Sequence, residues 1–115
     1  MSAEPDIRDN RSKGLLEAYE DGQVTGHIAY FTLDAEPPAL VAVHTIVEPE
    51  HEGKGIASAL VRELFRIAER EGVPVVTLCP YAARWVQKHP DEGPTPPSEL
   101  VVAAEDQLKA NPDLW

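Results

Sequence analysis

The chain has a single cysteine, Cys79, in 115 residues, which excludes an internal disulfide and a multi-cysteine zinc centre. Positive charge is scarce: ten lysines and arginines stand against twenty aspartates and glutamates, a formal net charge of −10. Such a chain, with no basic run, repels nucleic-acid phosphate, so no DNA or RNA partner is expected. No apolar run approaches membrane-spanning length, and the opening MSAEPDIRDNRSKG has no apolar stretch of signal-peptide length, so the expectation is a cytoplasmic protein with no membrane partner. No spacing of His, Asp or Glu suggests a metal site, and there is no internal repeat. What remains is a globular composition, 43% hydrophobic and 26% charged, at the length of one domain able to bury a core.

Residues 1–13 are polar and read as a mobile N-terminal segment. GLLEAYEDGQVTGHIAYFTLD then reads as a β-hairpin about an Asp21-Gly22 turn, with a strand from Val24 to Leu33 after it. AEPPA (35–39) is a second turn, and LVAVHTIV (40–47) a third strand. From about Lys54 to Glu71 the period becomes helical: Ala57, Leu60, Val61, Leu64, Phe65 and Ala68 share one face, and Gly72 stands at the C-cap. VPVVTL (73–78) has the continuous apolar character of a strand buried on both faces. CPYAARWVQKHP opens a short helix with Pro80 at its first position. Residues 91–97 form a Pro-rich linker, and 98–115 a C-terminal helix with Ser98 as N-cap and Leu100, Val101, Ala104 and Leu108 on one face. The implied fold is α/β or α+β: a single mixed sheet with antiparallel N-terminal strands, a parallel strand–helix–strand pair joined by a right-handed crossover, and flanking helices.

The chemistry concentrates in HTIVEPEHEGKGIASALV, residues 44–61. Glycine destabilises a helix interior by roughly 1 kcal/mol relative to alanine, yet Gly53 and Gly55 flank Lys54 at a helix opening. One reading is an anion cradle of Gly53, Lys54, Gly55, Ile56 and Ala57, where unpaired N–H groups meet a phosphate. The other is a turn that merely leads into the helix. A Walker A loop fails because Gly55 follows Lys54, and the dinucleotide fingerprint fails because Ser58 stands where its third glycine belongs.

EGKGIA, Glu52 to Ala57, resembles the (Gln/Arg)-x-x-Gly-x-(Gly/Ala) signature of Gcn5-related N-acetyltransferases, the GNAT superfamily, with Glu52 in place of Gln or Arg. Together with VPVVTLCPYAARWVQKHP, it is similar to a minimal single-domain subgroup with a Leu-Cys-Pro-(Phe/Tyr) segment ending in His-Pro. The resemblance spans roughly residues 10–90 and marks 14–90 as a minimal acyl-CoA N-acyltransferase domain.

The resemblance implies a GNAT-like fold and acetyl-CoA as cosubstrate, with no metal. Its pyrophosphate would rest on Glu52 to Ser58, and its pantetheine arm would insert between splayed strands against Thr45, Ile46 and Val47. Cys79, Pro80 and Tyr81 would stand near the thioester, and Arg84 and Lys88, one helical turn apart, near a phosphate. The implied activity is acetyl transfer to an amine, on a small molecule, a protein lysine or an N-terminus, by a monomer or homodimer. The alternative is a non-catalytic CoA- or acyl-CoA-binding module acting through a protein partner. Candidate bases are His44, Glu48 and Glu50, and Tyr81 is a candidate acid; each also fits an ordinary surface or packing role. Cys79, at a strand end and a helix N-cap, reads either as a reactive thiol beside the thioester or as a small buried hydrophobe.

Overall fold

The computed structural model describes residues 6–34, 38–53, 55–92 and 96–110. Strands β1 (Asp6–Asn10), β2 (Leu15–Glu20), β3 (Gln23–Thr32), β4 (Leu40–Val47) and β5 (Val75–Thr77) form one sheet in sequence order. The first three pairings are antiparallel and β4–β5 is parallel. Helix α1 (Ile56–Glu71) makes the crossover, followed by α2 (Pro80–Lys88) and α3 (Ser98–Ala110). This is the single mixed sheet with flanking helices that the sequence implies.

Each element follows from local chemistry. Asp21 and Gly22 both take positive φ, 52° and 80°, as a two-residue hairpin turn between right-twisted strands requires. Helix α1 buries Ile56, Leu60, Val61, Leu64, Phe65, Ile67 and Ala68, and stops at Gly72, whose left-handed backbone lets its N–H reach the carbonyls of Ala68 and Glu69. Alternation along the strands divides the core in two. Leu16, Ile28, Tyr30, Leu40, Ala42 and Val75 face α1 and α2. Leu33, Ala39, Val41 and Val76 meet Leu100 and Ala104 of α3 on the other face.

Two departures from the sequence reading concern strand ends. Residues 6–13 are not a loose segment: β1 pairs with β2 from Asp6↔Tyr19 to Asn10↔Leu15, and 11–13 form a 3-10 turn. Long-range partners hold them. Arg11 grips the Glu71 carboxylate through both terminal nitrogens, at 3.1 and 2.6 Å, and the Tyr30 hydroxyl donates to Asp9 while accepting from Arg11 Nε. Strand β5 is shorter than 73–78, because the N–H groups of Leu78 and Cys79 both turn onto the Ala42 carbonyl, at 3.0 Å each, and end the ladder. Helix α1 begins at Ile56 rather than Lys54, and Ser98 is the first residue of α3 rather than its cap. Residues 1–5 and 111–115, positions 35–37 of the expected AEPPA turn, Lys54, and the linker positions 93–95 lie outside the described residues.

Candidate functional site

The site begins where β4 and β5 part. Their parallel pairing covers Leu40↔Val75 to Ala42↔Thr77 and stops. Beyond Ala42, β4 continues for five residues to Val47, paired with β3 alone among the described strands. Val43 is an extra residue in that pairing, since Ala29 opposes His44 while Tyr30 opposes Ala42. A bulge of this kind shifts the alternation of side chains by one. Thr45, opposite the core residue Ile28, therefore faces α1, while His44 lies on the opposite sheet face, edge-on to His27 with ring centroids 5.7 Å apart.

After Val47 the chain makes a 3-10 turn, Pro49–His51, pinned to β3 by the Glu48 N–H on the Thr25 carbonyl at 2.8 Å. Gly53 and Gly55 follow with φ of 83° and 79°, in the left-handed region where other L-residues are strained. A Cβ on either glycine would meet no atom within 4 Å, so their surroundings are open rather than filled by protein. Gly55 is the N-cap of α1 and offers no side-chain cap, and no acidic residue stands in the first turn. The N–H groups of that turn and the positive end of the helix dipole therefore point toward the opening.

The opening is a cavity of about 440 Å³, within the range of small-molecule sites. It is lined by Thr45 and Val47 of β4, by His51, Glu52, Gly53 and Gly55 of the loop, by Ile56, Ala57 and Ser58 of α1, and by Tyr81 of α2. Ser58 is fixed by the Trp85 indole, which donates to its hydroxyl at 2.8 Å. Trp85 itself stacks with Phe65 of α1 and with His89, ring centroids 5.6 and 4.3 Å away, which with the bond to Ser58 ties α2 to α1 beside the cavity. Burial pushes the Tyr81 phenol above its ordinary range, with Arg84 opposing, which keeps the hydroxyl protonated at neutral pH.

Other sequence candidates lie around this cavity. Cys79 is the N-cap of α2 and only 2% exposed; its Sγ is 3.3 Å from Thr45 Oγ1, one side chain behind the wall. Arg84 and Lys88 are exposed on successive turns of α2. Ile46 is 51% exposed, and Glu48 and Glu50 are also exposed, outside the lining. His44 does not share the cavity's sheet face: Val43 turns it away. Burial, and next the neighbouring His44, hold His27 below the usual imidazole range. His51 is a lining residue that the sequence reading missed. Its partner Glu20, whose Oε2 is 3.1 Å from His51 Nδ1, is 31 positions away at the end of β2 and left no local signal.

The family model described as GCN5-related N-acetyl-transferase matches residues 16–93, more than half of the chain. The chain belongs to the GCN5-related N-acetyltransferase family. Among solved structures, the fold is similar to a ribosomal-protein-alanine N-acetyltransferase from Brucella melitensis biovar Abortus 2308, with TM-score 0.57 and 27% identity. That match covers 64% of this chain and 58% of the other. It is also similar to an aminoglycoside acetyltransferase from an uncultured soil metagenomic sample, with TM-score 0.50 and 25% identity over 56% of this chain and 44% of the other. This chain thus spans about half the length of these acetyltransferases. No curated protein matches it.

Proposed function

We propose that the chain is an acetyl-CoA-dependent N-acetyltransferase acting on a primary amine. The observation that carries the reading is the coincidence of three features at one cavity: an uncapped α1 N-terminus, two open left-handed glycines, and the gap between β4 and β5. Family membership supplies the acyl-transfer chemistry.

Acetyl-CoA would supply the activated acyl group; the remaining tasks fall to residues of the chain. The N–H groups of Ile56, Ala57 and Ser58, with Gly53 and Gly55, receive a diphosphate that side chains on the loop would exclude. The gap side of β4 beyond Ala42 presents main-chain donors and acceptors to an amide-containing arm, like an added strand. Thr45 and Cys79 stand where that arm would end. Tyr81, held protonated, is suited to return a proton to a leaving thiolate. His44, on the opposite face of the same strand, is the residue we assign to take a proton from an amine approaching from that side. Arg84 and Lys88 add positive charge at the α2 rim.

The test is an amine panel incubated with protein and acetyl-CoA, read by free-thiol release and by mass spectrometry of both protein and amine. Acetylation of at least one amine is expected. CoA binding without transfer to any amine would favour the non-catalytic CoA-binding module instead. A transient acetyl adduct present in wild type and missing in Cys79→Ala would assign Cys79 a covalent role; unchanged transfer in that variant would leave it a packing residue.

A further inference from the structure

At the fork where β4 and β5 part, each side of the gap contributes one side chain, and the two meet. Thr45 lies three residues past the last β4–β5 pair, lines the cavity and is half-buried. Cys79 lies two residues past that pair on the β5 side, buried, with its Sγ 3.3 Å from Thr45 Oγ1. The main chain holds the thiol in place. The Cys79 N–H bonds the Ala42 carbonyl at 3.0 Å, and the Cys79 carbonyl accepts from the Ala83 N–H at 3.0 Å. Although Cys79 is the N-cap of α2, its side chain makes no capping bond there and is turned to β4 instead.

The distance suits either atom as donor, but the two groups differ in chemistry. A thiol is a weak donor and its sulfur a weak acceptor, whereas a hydroxyl donates one hydrogen and offers two lone pairs. If the hydroxyl hydrogen goes to sulfur, Thr45 presents only lone pairs to the cavity. If the thiol hydrogen goes to Oγ1, the hydroxyl hydrogen is released toward the cavity. Both hydrogens then reach oxygen once a carbonyl arrives there. In such a chain, S–H to O–H to carbonyl, each bond polarises and strengthens the next. Neither group needs to carry charge.

We propose that Thr45 is a catalytic residue whose hydroxyl donates to the thioester carbonyl oxygen, and that Cys79 is a positioning residue whose S–H, given to Thr45 Oγ1, aims that hydroxyl into the cavity. The inference rests on the acetyl-CoA reading above and adds to it a donor for the oxyanion and a non-covalent role for the thiol. As the amine nitrogen bonds to the carbonyl carbon, the π pair moves onto the oxygen, where the Thr45 hydroxyl stabilises it without giving up its own proton. The carbonyl re-forms as the C–S bond breaks. The amine's proton leaves to the base, and the thiolate takes a proton from Tyr81. Thr45 and Cys79 end the turnover as they began it.

Infrared spectroscopy of the full chain reads both bonds. The chain has one cysteine and acetyl-CoA carries no free thiol, so the S–H stretch belongs to Cys79. With acetyl-CoA bound to wild type, that band should lie below the position of a thiol in a non-bonding solvent. A band at the unbonded position would overturn the proposal without recourse to any variant. The stretch of an isotope-labelled thioester carbonyl should lie higher in Thr45→Val than in wild type, and should return in Thr45→Ser. Equal stretches in wild type and in a folded Thr45→Val protein that binds acetyl-CoA would also overturn it. With an accepted amine, Thr45→Val should lower kcat about 10²-fold and leave KM for acetyl-CoA nearly unchanged, the scale of one oxyanion donor. Cys79→Ala should lower kcat roughly three- to tenfold, the scale of one neutral hydrogen bond, and Cys79→Ser should recover most of it. A kinetically competent acetyl adduct on Cys79 would overturn the positioning role. Calorimetric titration separates the two readings. Failure of the wild type to bind acetyl-CoA or CoA would refute the cofactor reading, and this inference with it; binding with unaltered spectra would refute this inference and leave the CoA site intact.

Discussion

Gly26→Ala tests how tightly β3 supports the cavity floor. Gly26 sits in β3 opposite Val47, and a Cβ there would lie 3.1 Å from the Ile46 carbonyl oxygen and 3.2 Å from Cγ2 of both Ile56 and Val47. The carbonyl belongs to the β3–β4 ladder and has little room to yield, so Ile56 and Val47 must move. Overpacking of this kind costs about 1–3 kcal/mol. With an unfolding entropy of about 2.1 cal/mol/K per residue over 115 residues, each kcal/mol corresponds to roughly 4 °C. Thermal unfolding followed by circular dichroism should therefore show a fall of roughly 4–12 °C. Ile56 is also the first residue of α1, so CoA binding at the fold's working temperature should weaken together with stability. Gly55→Ala should behave differently: its added Cβ meets nothing, its φ of 79° costs about 1 kcal/mol, and its effect should fall more on binding than on melting. A Gly26→Ala protein that melts within a degree of wild type would show that the close approach of β3, β4 and α1 is not as drawn.

Three further outcomes follow from other parts of the molecule. Burial and the bond to Asp9 push the Tyr30 phenol up to about 12, so its contribution to stability is full below pH 10 and is lost as pH rises from about 10 to 12; denaturant titrations across that window should show the loss, and Tyr30→Phe should flatten it. Ala104→Glu would place a carboxylate at a position with 0% exposure between α3 and the sheet, and should lower stability by several kcal/mol or detach α3; an unchanged melting temperature would contradict the second core. Glu71→Gln should cost no more than about 1 kcal/mol, because its Arg11 pair is substantially exposed; a loss well beyond that in a denaturant titration would mean that this pair, rather than the strand ladder, holds β1.

The elements that local chemistry determines were legible in the sequence. The Asp21-Gly22 turn, the strand Leu40–Val47, the amphipathic stripe of α1 and Pro80 at the start of α2 each carry their own signal, and the structure places them as read. Strand β1 carries none: DIRDN is charged without alternation, and its anchors, Tyr30 and Glu71, are 21 and 60 positions from the residues they hold. The bulge at Val43 was equally hidden, since period-two alternation assumes an unbroken ladder, and it is the bulge that separates His44 from Thr45 and the cavity. His51 left no local signal for a related reason, since the contact of its ring with Glu20 spans the fold. Motif recognition found the loop; tertiary pairing decided which side chains stand around it.

Gly55→Asp is the sharpest test of the proposal that the Gly53–Ser58 loop and helix start hold the diphosphate of CoA. Aspartate tolerates left-handed backbone better than most residues, and nothing lies within 4 Å of the new Cβ, so the variant should fold and melt within a few degrees of wild type. Its carboxylate would occupy the place of a phosphate oxygen. Calorimetric titration with CoA should give measurable binding for wild type and at least about a tenfold weaker Kd for the variant. Equal affinity in a folded Gly55→Asp protein would contradict the claim.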